Sequence, residues 1–320
     1  MKKIRLIIIL LLFVFFTNTL SYIKNDKTST NDKITFKVED TITQKKSNIY
    51  IGMDKQDLIS SLGQPDRIDI SEYGFEWYIY NKDYQNFMMV GIEDKKVVAF
   101  YSNSIKIKEL GNIAIGDRKD KVRTEYTPLE YKQKNNIKFM INSQDQYDII
   151  KKEDVYITLF YDIHDDNKIC SYQIIEKNTE EKTEDIYGEY SLDLIESFEN
   201  QTIDLINSDR QKEGLNTLEY SSKARNSAMK HSKDMSESEY FDHTNLKGED
   251  PFDRMNKEDI IYIKAGENIA AGQTSAIYAH EALMNSMGHR KNILGEYKYV
   301  GVGVEFGGSY KTYYTQNFYK

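Results

Sequence analysis

The chain opens on an unbroken apolar run. Lys2, Lys3 and Arg5 precede Leu6 to Phe16, and nothing polar spaces the run into one buried face. A basic start and a short apolar centre predict an export leader over residues 1–21. The following Thr17-Asn18-Thr19-Leu20-Ser21 offers no Ala-x-Ala cleavage site, so an uncleaved signal anchor stays open, although the run is short for a full span. No cysteine follows the run, which excludes a lipoprotein anchor. Residues 22–47 are polar, with Phe36 and Val38 isolated, and read as a spacer.

From residue 48 to 176 a pattern occurs twice. Ile51-Gly52, Asp57-Leu58 and Leu62-Gly63-Gln64-Pro65 are echoed by Ile115-Gly116, Lys121-Val122 and Tyr126-Thr127-Pro128. Phe87 to Tyr101 alternates as two strands around a turn at Glu93-Asp94-Lys95-Lys96, and Val155 to Ile175 does the same around His164 to Lys168. Two units, about 48–105 and 111–176, each a short strand, a helix and a meander, are expected to pack as one small α+β domain. Residues 177–190 are dense in charge and read as a linker.

The second domain, 191–320, changes period. Leu194, Ile195, Phe198, Thr202, Leu205 and Ile206 recur at steps of three and four, predicting a helix from Ser191 to Glu213 that Gly214 ends. A second helix, Ser222 to Ser236, carries Ala224, Ala228, His231 and Met235 on one stripe, small enough for close helix contact. Asp250-Pro251 caps a third. Ile260 to Ile263 reads as a short strand, and Thr274 or Ser275 starts a helix through Met287 that Gly288 stops. Val300 to Phe306 alternates strictly, turns at Gly307-Gly308 and returns as Tyr310 to Phe318. Glycine at 301 and 303 means that another layer lies against that strand face. Helices, a central antiparallel sheet and more helices make a three-layer α-β-α sandwich, and the whole chain is α+β.

Composition narrows the classes. A length of 320 residues suits two domains and a leader, and 39% hydrophobic with 12% aromatic residues supplies real cores. The net charge of −8 argues against nucleic-acid binding, which needs a basic surface to displace counterions. The single Cys170 allows no intrachain disulfide, so the domains fold on burial alone. In the repeated domain nothing reads as catalytic: His164 is expected as a solvated turn residue, Cys170 as an inert thiol and Trp77 as packing.

Candidate chemistry gathers in three islands: Phe241-Asp242-His243, Ala265-Gly266-Glu267-Asn268-Ile269-Ala270, and Asn285 to Leu294 with Gly288-His289-Arg290 at its centre. His231 points inward on its stripe and is expected as a hydrogen-bonded core histidine. Rival enzymes fit poorly. His280-Glu281-Ala282-Leu283-Met284 resembles the zinc-protease helix, but Met284 stands where the second histidine is needed. A thiol protease is disfavoured because Cys170 lies in the other domain, and no convincing Gly-x-Ser-x-Gly elbow or phosphate loop is present.

The ordered islands, with Asn207-Ser208-Asp209-Arg210, His231-Ser232-Lys233-Asp234-Met235 and Tyr313 to Phe318, resemble the CAP superfamily of cysteine-rich secretory, antigen 5 and pathogenesis-related proteins, most closely its bacterial SCP-like branch. The repeated Ile-Gly turn and Leu-Gly-Gln-Pro resemble the module often found ahead of that domain. The resemblance implies a surface cleft lined by two histidines and two acids, matched here by His243, Glu267 and His289. The second acid is missing, because Ser286 takes its place, and Glu281 lies about 140° round the helix from Ser286. His231, Ser286, Glu281 and Asn268 remain weaker cleft candidates, Asn268 being expected to satisfy loop backbone.

Two neutral imidazoles and a carboxylate can hold a divalent metal such as zinc, with His243 and His289 as ligands, or do acid–base work, or lock three loops together. A complete set of nucleophile, base and orienting group is not visible. The expectation is therefore an exported, extracellular binding protein of the envelope or spore, with a peptide, glycan or protein ligand and membrane attachment only through an uncleaved leader. A metal-assisted hydrolase with Glu267 as base, and a pure scaffold, are the alternatives. Residue usage rich in Lys, Asn, Ile and Tyr points to a low-GC Gram-positive bacterium.

Overall fold

Two equivalent turns set the geometry of the N-terminal half. The structure is a computed structural model and describes residues 35–39, 46–104, 113–134 and 137–320; the expected leader and much of the expected spacer lie outside the described residues. Within that spacer, β1 (Thr35–Glu39) pairs antiparallel with β2 (Lys46–Tyr50), so the β-prone Thr35, Phe36 and Val38 serve a strand.

The first repeat then runs α1 (Lys55–Leu62), β3 (Arg67–Ile70), β4 (Glu76–Tyr80), β5 (Met88–Glu93) and β6 (Lys96–Ser102). The second runs α2 (Lys119–Glu125), β7 (Tyr131–Lys134), β8 (Ile137–Met140), β9 (Tyr147–Lys152), β10 (Val155–Asp162) and β11 (Lys168–Glu176). Gly52 N–H donates to Val97 O at 2.7 Å and Gly116 N–H to Ile169 O at 2.9 Å, both glycines having left-handed φ (86° and 91°). Bridges Asp54–Lys96 and Arg118–Lys168 follow at the same place in each repeat. Asp94-Lys95 and Asp166-Asn167 both take positive φ, which matches the twist of the strands they join.

Among the described residues the strands form a seven-stranded antiparallel sheet, order β3-β4-β5-β6-β11-β10-β9, the repeats meeting where β6 pairs with β11; β7 and β8 form a separate pair. Side chains alternate across the large sheet. Tyr78, Val90 and Phe100 pack with Leu58 of α1 and Val122 of α2. Trp77, Ile79, Met89 and Tyr101 face the other way, into a core shared with the C-terminal half. Residues 177–190, expected as a linker, begin with α3 (Lys177–Lys182). Its Glu180 is buried and meets Lys132 Nζ at 2.9 Å and Lys134 Nζ at 3.2 Å, so the start of the run is docked, while Lys182, Glu184, Asp185 and Glu189 are exposed.

The C-terminal half follows the expected order, with α4 (Leu192–Lys212), β12 (Glu219–Tyr220), α5 (Ser222–Glu237), α6 (Pro251–Lys257), β13 (Ala265–Ala271), α7 (Ala276–Met284), α8 (Met287–Ile293), β14 (Tyr299–Gly307) and β15 (Lys311–Tyr319). Ser191, Ser221 and Ser275 cap their helices, and Asp250 with Asp253 forms a capping box before Pro251. The sheet order is β12-β14-β15-β13. Helix α5 lies on one face: a Cβ on Gly301 or Gly303 would stand 2.0 Å from the backbone nitrogen of Arg225 or Met229. Val300, Val302 and Val304 turn to the opposite face, where they join Leu205, Ile206 and Ala276. The domain is a three-layer α-β-α sandwich.

Two local expectations change. Ile260 to Ile263 is not a strand; pairing with β15 starts only at Ala265–Tyr319, leaving Ile261 95% and Ile263 88% exposed. The Gly-Glu-Asn island is therefore itself strand. The helix expected to reach Met287 ends at Met284, and Gly288 lies inside α8. The break falls at Asn285, whose side-chain amide is taken by Tyr161 O (2.9 Å) and Ile163 N–H (3.1 Å) of the N-terminal half.

Candidate functional site

Glu267 is the hub. Its place on β13, paired with Asn317 of β15, turns its carboxylate inward, and the side chain is 1% exposed. Arg254 Nη2 donates to Oε1 at 2.9 Å and to Oε2 at 2.8 Å. Asn317, with its amide nitrogen toward Oε2 at 3.0 Å, accepts from Ser227 Oγ and Ala228 N through its oxygen. His243 Nδ1 lies 3.0 Å from Oε1. A buried carboxylate beside a guanidinium accepts and does not donate, so His243 Nδ1 donates to Oε1 and the ring is held by that bond. The His243 side chain is 47% exposed.

Arg254 also ties the loop that carries His243. Its Nη1 donates to His243 O at 2.8 Å and to Glu249 O at 2.9 Å, fixing both ends of the turn before α6. In the sequence Arg254 stood only as part of a helix start. An arginine one turn beyond an N-cap normally points to water, so the signal was the neighbouring islands and not the residue.

His289 comes from the other side, on α8. Its backbone carbonyl accepts from Asn268 Nδ2 at 3.2 Å, while Asn292 Nδ2 donates to Asn268 Oδ1 (2.8 Å) and Glu267 O (3.2 Å). Asn268 thus stitches β13 to α8. Burial pushes the His289 imidazole below its ordinary value, and the His243 ring adds to the effect. His289 Nδ1 is buried and meets no partner among the described residues. His231 sits behind the hub, fully buried, its Nε2 donating to Asp242 O at 3.0 Å and lying 3.9 Å from Glu267 Oε1. Burial lowers its pKa too, so it stays neutral. Phe241, Leu246 and Met287, on the segments that carry the two outer imidazoles, are exposed apolar side chains.

Two expected candidates lie elsewhere in function or place. Ser286 is the N-cap of α8, without a side-chain cap bond. Glu281 does not join Glu267 and its partners. It is buried against the N-terminal half, accepting from Tyr101 Oη (3.1 Å), Ser171 Oγ and Cys170 Sγ (3.3 Å), and it lines a cavity of about 400 Å³ with Asp209, Lys212 and Arg290. Burial, then the charge of Asp209, raises its pKa, and burial likewise pushes the Cys170 thiol well up, so that thiol is not a thiolate nucleophile. His164 is exposed in its turn, as expected, and its Nε2 also donates to Asn285 O at 3.0 Å.

The model of the cysteine-rich secretory protein family matches residues 203–318, and that of the CAP-associated N-terminal module matches residues 51–185. The "uncharacterized membrane protein YlbC" of Bacillus subtilis (strain 168) is 31% identical over 295 residues, covering 85% of this chain and 82% of that protein. The chain belongs to the CAP superfamily. Its CAP domain also matches the "uncharacterized protein YkwD" of the same organism at 41% identity over 116 residues, 36% of this chain and 45% of that one. An extracellular protein containing an SCP domain from Bacillus anthracis str. Ames superposes with a TM-score of 0.71 at 26% identity, over 93% of this chain and 100% of that one. A cysteine-rich secretory protein from Staphylococcus aureus subsp. aureus Mu50 shares the fold, with a TM-score of 0.68 at 19% identity over 84% and 91% of the two chains. Among the described residues no helix is long and apolar enough to cross a membrane.

The residues around Glu267 do not match the donor set of a resident zinc. Catalytic zinc takes three protein ligands and structural zinc four. Here Glu267 is already occupied by Arg254 and His243, leaving two imidazoles, and among the described residues no group of three or more His, Cys, Asp or Glu is placed to hold an ion.

Proposed function

We propose that this protein acts outside the cell as a binding module, and that its CAP cleft holds a peptide or glycan of the envelope through His243 and His289. One observation carries the reading: Glu267 is neutralised by Arg254 and spends its remaining capacity on orienting His243. A carboxylate so paired holds its partner in one tautomer and is a poor general base. The site then offers an imidazole oriented by Glu267 at His243 and a second imidazole at His289, with Phe241, Leu246 and Met287 exposed on the segments that carry them. Such a surface accepts hydrogen bonds from hydroxyl or amide N–H groups and covers apolar parts of a ligand. The metal-assisted hydrolase reading loses support because its base is committed elsewhere. An extracellular setting is supported by the export leader expected from the sequence and by the extracellular Bacillus anthracis neighbour.

The test is ring-labelled histidine NMR with soluble peptidoglycan fragments and short peptides. Resonance shifts confined to His243 and His289 are expected, with fragment binding lost in a folded His243→Ala/His289→Ala variant. No shift with either set, or turnover of a fragment that disappears in His243→Ala, would overturn the reading.

A further inference from the structure

Helix α8 has only seven residues, about two turns, and its N-cap Ser286 makes no side-chain cap bond. A helix that short has little stability of its own. What holds its start comes from the other module. The end of β10 and the turn after it meet the α7–α8 junction at four successive points. Tyr161 O accepts from Asn285 Nδ2 at 2.9 Å, and Ile163 N–H donates to Asn285 Oδ1 at 3.1 Å, so the Asn285 amide is gripped as a strand partner would be. His164 Nε2 donates to Asn285 O at 3.0 Å. Asp162 Oδ2 accepts from Arg290 Nη2 at 2.8 Å, with both side chains mostly shielded (17% and 16% exposed). Arg290 Nη1 reaches back to Met284 O at 3.3 Å, closing the end of α7.

We propose that the β10–β11 turn of the CAP-associated module, through Asp162 and His164, is a positioning element for the CAP cleft: it sets the register of α8 and so the place of His289. The inference rests on the reading of His289 as a ligand-binding residue, and it adds to that reading the means by which the N-terminal module reaches the site. His289 lies directly before Arg290 and is held from the cleft side by Asn268 alone among the side-chain bonds to its backbone described above. Release of the hairpin grip leaves α8 anchored at one end. The contact at Asp204 does not share this property: Arg67 meets Asp204 of α4 at 2.5 Å, with Asn81 and Tyr84 on the same carboxylate, and none of these touches α7 or α8.

That contrast supplies the experiment. Amide hydrogen exchange is measured on the full chain for wild type, Asp162→Ala/His164→Ala and Arg67→Ala, together with His289 ring resonances. In the hairpin variant, exchange over residues 287–290 is expected to rise by about tenfold or more while α4 and α5 stay protected, and the His289 ring signals shift. Asp162→Glu, which can still pair with Arg290, should restore most of the protection. Arg67→Ala should leave residues 287–290 and His289 unchanged. Equal acceleration in Arg67→Ala, acceleration throughout the CAP domain, or no change in the hairpin variant would each overturn the proposal. Failure of envelope fragments to bind would remove the ligand reading and leave the exchange result standing, so the two can fail separately.

Discussion

Removing Arg254 exposes the logic of the cleft. In Arg254→Met the stem is kept and the guanidinium lost, and with it two bonds to Glu267 and one each to His243 O and Glu249 O. Glu267, 1% exposed, would then be a buried carboxylate with only His243 and Asn317 as donors. Breaking a buried pair from one side costs about 3–5 kcal/mol, because the remaining charge is stranded. At about 2–4 °C per kcal/mol for a domain of this size, the melting temperature should drop by roughly 6–20 °C. The double variant Arg254→Met/Glu267→Gln leaves no unpaired charge and should recover a large part of that loss. Denaturant unfolding of wild type, both singles and the double gives the coupling directly. A cost below about 1 kcal/mol for Arg254→Met, the size of an exposed pair, would refute the hub argument. So would a double variant no more stable than Arg254→Met.

Three further outcomes follow from packing and titration. Gly303→Ala would drive a Cβ to 2.0 Å from Met229 N, backbone that cannot swing aside, so it should destabilise by about 3 kcal/mol or more in denaturant unfolding. Gly288→Ala has open space around it and sits in a helix, so the same assay should show a gain of about 0.5–1 kcal/mol. His231 is held neutral by burial below its ordinary pKa of 6.5, so the unfolded chain binds the extra proton first as pH falls. Stability from this residue is present above about pH 6.5 and declines on acidification until the folded-state pKa is passed. Melting curves at about pH 7.5 and pH 5 should show a smaller drop for His231→Gln than for wild type.

The local code of this chain was readable without neighbours. The period of Leu194 to Ile206, the serines and Asp250 before their helices, and the strict alternation of Val300 to Phe306 each state their element within a few residues. The duplicated Ile-Gly turns were readable for the same reason, because left-handed backbone leaves glycine as its mark. Even Gly301 and Gly303 announced a close neighbour, since only a missing Cβ lets α5 approach.

What tertiary structure decided was the partner of each charge. Arg254, Glu281, Glu180 and His164 are ordinary surface residues by type, and a one-dimensional pattern cannot say which of them meets a counter-group far along the chain. The fold brings Arg254 to Glu267, Glu281 to Tyr101 and Ser171, Glu180 to Lys132 and Lys134, and His164 to Asn285. The helix break at Asn285 has the same origin: the apolar period runs on to Met287, and two backbone groups of a distant hairpin hold the Asn285 amide where the helix ends. Hydrophobic period is a property of neighbours in sequence, whereas neutralising a buried charge needs a specific partner in space, which only the folded chain supplies.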